Sequence, residues 1–112
     1  MAHSKIRVSV QILSAAVALV VALVAYAAYT EHNAKRLATE FCGSVKVGEN
    51  ADLLFKRAIA SGADQRQTRW FAPLNEDRWL PVTFTGFTPL SRHICSVKAA
   101  TTVKSFEYVY LD

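Results

Sequence analysis

The chain is short of most residues that carry chemistry. It has two cysteines, one methionine, three prolines and four glycines in 112 residues. The cysteines, Cys42 and Cys95, are far apart and form no Cys-x-x-Cys, so no redox motif or zinc knuckle is indicated. The histidines, His3, His32 and His93, are scattered with no metal-ligand spacing. There is no glycine-rich phosphate loop. No cofactor, metal or small-molecule substrate is expected. No internal repeat or low-complexity tract is present, and the length allows one small domain.

Charge is also missing from one long stretch. Val8 to Tyr29 is 22 residues without Asp, Glu, Lys or Arg. As a helix it would be ~33 Å long at ~1.5 Å per residue, against a hydrocarbon core of ~30 Å. A helix apolar on every side could not be wrapped by the 83 residues that follow it. The spacing therefore predicts three parts: residues 1–7 as a cytoplasmic N-terminus, 8–29 as a transmembrane signal anchor, and 30–112 as an extracytoplasmic domain. The alternative is a cleaved signal peptide, with Lys5 and Arg7 before it and Ala25-Tyr26-Ala27 as a small-x-small site. The run exceeds the ~7–15 residues of a typical signal-peptide core. Tyr26 and Tyr29 stand where an interfacial aromatic belt would. Both features favour the anchor. Lys5 and Arg7 on one side and Lys35 and Arg36 on the other nearly balance, so charge sets orientation weakly. A short basic N-terminus on a first helix places that end inside and the domain outside a bacterial inner membrane, in the periplasm.

Export gives the cysteines a meaning, because a pair in a small exported domain is most simply one Cys42–Cys95 disulfide. Along the domain, Ala34, Leu37, Ala38 and Phe41 make one apolar helical stripe that Gly43 can end. Whether this helix continues from the anchor or breaks near Thr30 is left open. Asn50 offers a cap for a second helix carrying Leu54, Phe55, Ala58 and Ile59, with Gly62 as its left-handed end. Thr68 to Phe71 reads as a first strand and Asn75-Glu76-Asp77 as a turn. Trp79 to Phe87 alternates, with Leu80, Val82 and Phe84 on one face and Pro81 marking an edge or a strand start. His93–Lys98 and Thr101–Leu111 complete the strands. The fold class expected is α+β: a transmembrane helix, then two helices packed on a three- or four-stranded antiparallel sheet.

The helix–helix–meander order, with VKVGENADLLFKRAIASGA entering the second helix and a Trp-bearing strand after it, resembles the small BamE-like domains. These are similar in fold to the β-lactamase inhibitor protein. The matching positions are Val47-Gly48, Leu54, Ala58, Gly62 and Trp70, within Cys42 to Asp112. The resemblance implies a non-catalytic binding or assembly module. The chain departs from it in lacking a lipidation cysteine near its start and a Gly-x-Pro after the second helix, and in having the cysteine pair.

No enzyme is expected. Ser91-Arg92-His93-Ile94-Cys95 looks most catalytic, but a disulfide-bonded Cys95 supplies no nucleophile, and His93 reads as a strand-entry residue. Beyond Tyr29, eleven Lys and Arg face nine Asp and Glu in a dispersed pattern, which gives no nucleic-acid stripe. Two sets of residues point instead to protein partners. Arg69, Trp70, Arg78 and Trp79 (with Arg66 nearby) could form an arginine–aromatic surface of the kind enriched at interfaces. In the apolar run, Gln11, Ser14, Ala15, Ala18 and Ala22 recur at helical spacing as a small-residue ladder with one polar side chain, the pattern that lets helices approach in lipid. Together these predict a membrane-embedded accessory subunit of a larger membrane complex, or, if the signal is cleaved, a secreted or periplasmic binding or inhibitor domain.

Overall fold

The computed structural model describes residues 2–74 and 76–112, with side chains from Lys5 onward. Its first element is one uninterrupted helix, α1 (Ala2–Ser44), of 43 residues. The question left open near Thr30 is thereby settled as continuation. The physical reason is visible in the composition: no glycine occurs before Gly43 and no proline before Pro73. Thr30 does not break the helix because its hydroxyl bonds back to the Ala27 carbonyl at 3.0 Å. The result is an elongated molecule of 78 × 25 × 19 Å, with the N-terminal part of α1 projecting from a small α+β body. That projecting part is long and apolar enough to cross a membrane, and its apolar stretch is uncovered by the rest of the chain.

After α1 the chain makes a 3-10 turn at Ala51–Leu53 and a short helix α2 (Leu54–Ala60). Asn50 caps the turn, accepting the Asp52 amide at 2.8 Å. Gly62, at φ 99°, lets the chain leave α2 in a left-handed turn, with the Ala63 amide bonded back to the Ala58 carbonyl. Three antiparallel strands follow in the order β1 (Arg78–Thr85), β2 (Arg92–Ala99), β3 (Val103–Leu111). β2 is central, with Val82 opposite Cys95 and Cys95 opposite Tyr108.

The expected strand at Thr68–Phe71 is not one. Asp64 turns the chain by accepting the amides of Arg66 and Gln67 on its carboxylate and that of Thr68 on its carbonyl. Only Phe71 then pairs, through a two-way bond with Trp79. This segment covers the outer edge of β1: the Thr68 hydroxyl and the Asp64 amide take the Thr83 amide and carbonyl. Pro81 lies midway between Trp79 and Thr83, at the edge position that has no partner to donate to, as its missing N–H requires. The sheet therefore has three strands, not four. Of the expected turn at residues 75–77, Asn75 lies outside the described residues.

The core forms between α1 and one sheet face. Ala34, Ala38 and Phe41 meet Leu80, Val82, Phe84 and Val97, closed at the far end by Leu54, Ala58 and Val103. The small side chains of Ala34 and Ala38 allow helix and sheet to approach closely. The Cys42–Cys95 disulfide, with Cα atoms 5.4 Å apart, joins α1 to the central strand.

Candidate functional site

α1 leaves its apolar stretch and enters the core around Glu31, where a polar cluster gathers. The β1–β2 hairpin turns back at residues 86–91, so its connection sits beside the helix. Glu31 Oε1 accepts the Phe87 amide at 2.9 Å, and Oε2 accepts the Ser91 hydroxyl at 2.8 Å and faces His93 Nε2 at 3.0 Å. His93 Nδ1 lies 2.7 Å from the Tyr108 hydroxyl, and Tyr110 packs on the imidazole. Gly86 is required for this approach, because a Cβ there would overlap the Glu31 carboxylate. The bonds from His93, Ser91 and Phe87 hold the Glu31 carboxyl below its usual range. Burial, with the nearby Tyr110 and Glu31, raises the Tyr108 phenol above its own. A carboxylate has no proton to give, so Nε2–H donates to Glu31, while Nδ1 and the Tyr108 hydroxyl share the second bond.

His93 stands at the entry of β2, as the sequence suggested, and is in addition buried and bonded through both nitrogens. The geometry is that of a clasp. Ser91 gives its proton to Glu31 rather than to the imidazole, so serine and histidine are not arranged as nucleophile and base. Cys95 is in the disulfide. The clasp ties the β1–β2 connection and β2 to α1 at a point eleven residues before Cys42. Among the described residues, no three His, Cys, Asp or Glu side chains converge on a point that could hold a metal ion.

The arginine–aromatic residues divide between two sides of the sheet. Arg78 and Trp70 lie on the helix side at the far end, with the guanidinium 4.7 Å from the Trp70 ring centre, bonded to the Ala100 carbonyl and near Asp52. Trp70 packs against the core. Arg69 and Trp79 lie on the opposite side, joined by Phe71: the Arg69 guanidinium covers the Phe71 ring at 5.3 Å, and Phe71 stacks on Trp79 at 5.2 Å. Trp79 is 39% exposed and donates its indole N–H to Ser96. Arg69, Phe71, Trp79, Arg66, Arg92 and Leu111 border a shallow cleft of about 310 Å³ on the outer sheet face. Phe71 was missed in the sequence because the segment around it read as an ordinary strand.

Gln11, Ser14, Ala15, Ala18 and Ala22 are all exposed on α1. At ~100° per residue they share about 100° of arc. On the same count Ala34, Ala38 and Phe41, which face the sheet, lie on roughly the opposite side of the helix. Tyr29, Arg36 and Glu40 continue the small-residue side beyond the apolar stretch, with Arg36 bonded to Asn33 and Glu40. Among the described side chains the domain thus leaves the line from Gln11 through Ala22, Tyr29 and Arg36 to Glu40 exposed, and reaches its margin only at Tyr26, where Phe87 packs.

No protein-family model, curated protein or solved structure matches this chain.

Proposed function

We propose that the protein is a single-pass, non-enzymatic accessory or assembly subunit of a larger bacterial inner-membrane complex, with its N-terminus in the cytoplasm and its domain in the periplasm. The observation that carries this reading is the open small-residue side of α1, turned away from the domain and continued outside the apolar stretch by Tyr29, Arg36 and Glu40. Lipid gives two helices no hydrophobic reason to associate, so close backbone packing and a polar contact such as Gln11 must supply it. A rigid helix–domain joint supports the same reading, because a partner could then engage helix and outer sheet face in one geometry. The resemblance to BamE-like domains points to the same class of work.

Replacing Ala18 and Ala22 together, Ala18→Leu and Ala22→Leu, keeps the segment apolar and holds a neighbouring backbone away. The expected result is a several-fold loss of partner recovered by native co-purification in mild detergent, with Val20→Leu and Val24→Leu on the other side tolerated. Equal recovery with both pairs, at matched membrane levels, contradicts the helix-packing role.

A second reading, a secreted or periplasmic binding domain released by signal cleavage, is favoured by one observation. The core begins at Ala34 and the clasp at Glu31, so cleavage after Ala27 would leave both in place.

A further inference from the structure

The hairpin connection between β1 and β2 has an unusual composition for a surface turn. Thr85 to Ser91 contains no charged residue, and it exposes Phe87 at 49% and Leu90 at 74%. Leu111 and Tyr110, at the end of β3 beside it, are also exposed. These apolar side chains gather at one end of the domain, the end toward the apolar stretch of α1.

The position of that end along the helix is fixed. The Phe87 ring meets the Tyr26 ring edge-on at 6.2 Å between centres. Tyr26 lies within the uncharged stretch, three residues before its end at Tyr29, or ~4.5 Å at ~1.5 Å per residue. The hairpin therefore reaches back alongside the apolar helix. Glu31 prevents it from swinging away, through the Phe87 amide and the Ser91 hydroxyl. If residues 8–29 span a bilayer, Phe87 stands at the depth of Tyr26, where amphipathic and apolar rings sit at the boundary of headgroups and hydrocarbon.

We propose that the hairpin tip Phe87–Leu90 is a membrane-contact site that inserts into the interfacial layer of the outer leaflet, seating the domain on the lipid surface. This rests on the anchor reading and adds to it a second, shallower lipid contact. The tip carries no cluster of lysines or arginines, so the partner is the apolar and interfacial part of the lipid rather than an acidic headgroup. The clasp then has a further role: it holds the tip at a set depth and so sets the tilt of the domain.

The test uses the full chain in phosphatidylcholine–phosphatidylglycerol vesicles, with a photoreactive diazirine amino acid placed singly at four exposed positions. These are Leu19 in the apolar stretch, Phe87, Leu90, and Leu53 at the far end of the domain. All four side chains are exposed, so the label displaces no core packing. Lipid adducts are counted by mass spectrometry after illumination. The expected result is abundant adduct at positions 19, 87 and 90, several-fold above position 53. Adduct at 19 alone overturns the hairpin site and leaves the anchor standing. Adduct at none of the four overturns the anchor and the hairpin site together. Adduct at 53 equal to that at 87 and 90 also overturns the proposal, since contact would then not depend on depth.

Discussion

Replacing Cys42 and Cys95 together with alanine is expected to lower the unfolding free energy of the domain by ~2–5 kcal/mol. The bridge spans 53 positions and closes a loop whose chain-entropy contribution is on the order of ~4 kcal/mol. Both sulfurs are buried at the centre of the helix–sheet contact, so the reduced pair has no water to gain unless the domain opens. The domain is small, and a loss of this size removes much of the ~5–15 kcal/mol that a folded domain commonly has. Urea titration of the detergent-solubilised protein, followed by tryptophan fluorescence, reads the effect as a lower midpoint. Coincident curves for the two proteins would show that core packing alone holds the helix to the sheet. The same bond points to an oxidising compartment, since such bridges are rarely kept in a reducing one.

The second large effect is expected at Glu31. Its carboxylate accepts from Phe87, Ser91 and His93, so Glu31→Ala leaves an amide, a buried hydroxyl and a buried imidazole without their partner. Charge-assisted bonds contribute roughly 1.5–3 kcal/mol each when well shielded. The Glu31 side chain is 35% exposed, so solvent replaces part of what is lost, and a total of about 2 kcal/mol is expected. The pH dependence has a definite sign. The folded-state pKa lies below the ordinary carboxyl value of 4.5. The contribution is therefore present above pH 4.5 and is lost as pH falls through the folded-state value. Thermal unfolding of wild type should fall more steeply below pH 4.5 than that of Glu31→Gln, which has no carboxyl to protonate. Parallel acid limbs for the two proteins would remove the carboxylate from the account of the clasp.

What could be read from the sequence and what could not follow from the range over which each feature acts. The apolar run, the Gly62 end of the second helix and the Leu80–Val82–Phe84 alternation are local, and the structure has them; Asn50 caps the 3-10 turn that leads into the second helix rather than that helix itself. The disulfide was legible because two cysteines allow one intramolecular pairing. Helix continuity through Thr30 was carried by an absence, the lack of any glycine or proline from Ala2 to Cys42, which is easily passed over beside polar residues such as Thr30 and Asn33. Thr68–Phe71 misled because its β-prone residues serve a strand edge by side-chain and single-bridge bonds rather than by a ladder. The clasp had no local signature at all. Glu31 and His93 are 62 positions apart, and each alone is an ordinary polar residue. Their nearest signal is Gly86, whose need for a missing side chain becomes intelligible only with Glu31 beside it.

On the anchor reading, the apolar stretch of α1 stays attached to the domain and crosses the membrane. Intact-mass measurement of the protein after carbonate washing of membranes tests it most directly. The account predicts a chain that stays in the washed membrane pellet and still contains residues 8–29. A chain beginning at residue 28 and found in the soluble fraction would contradict it.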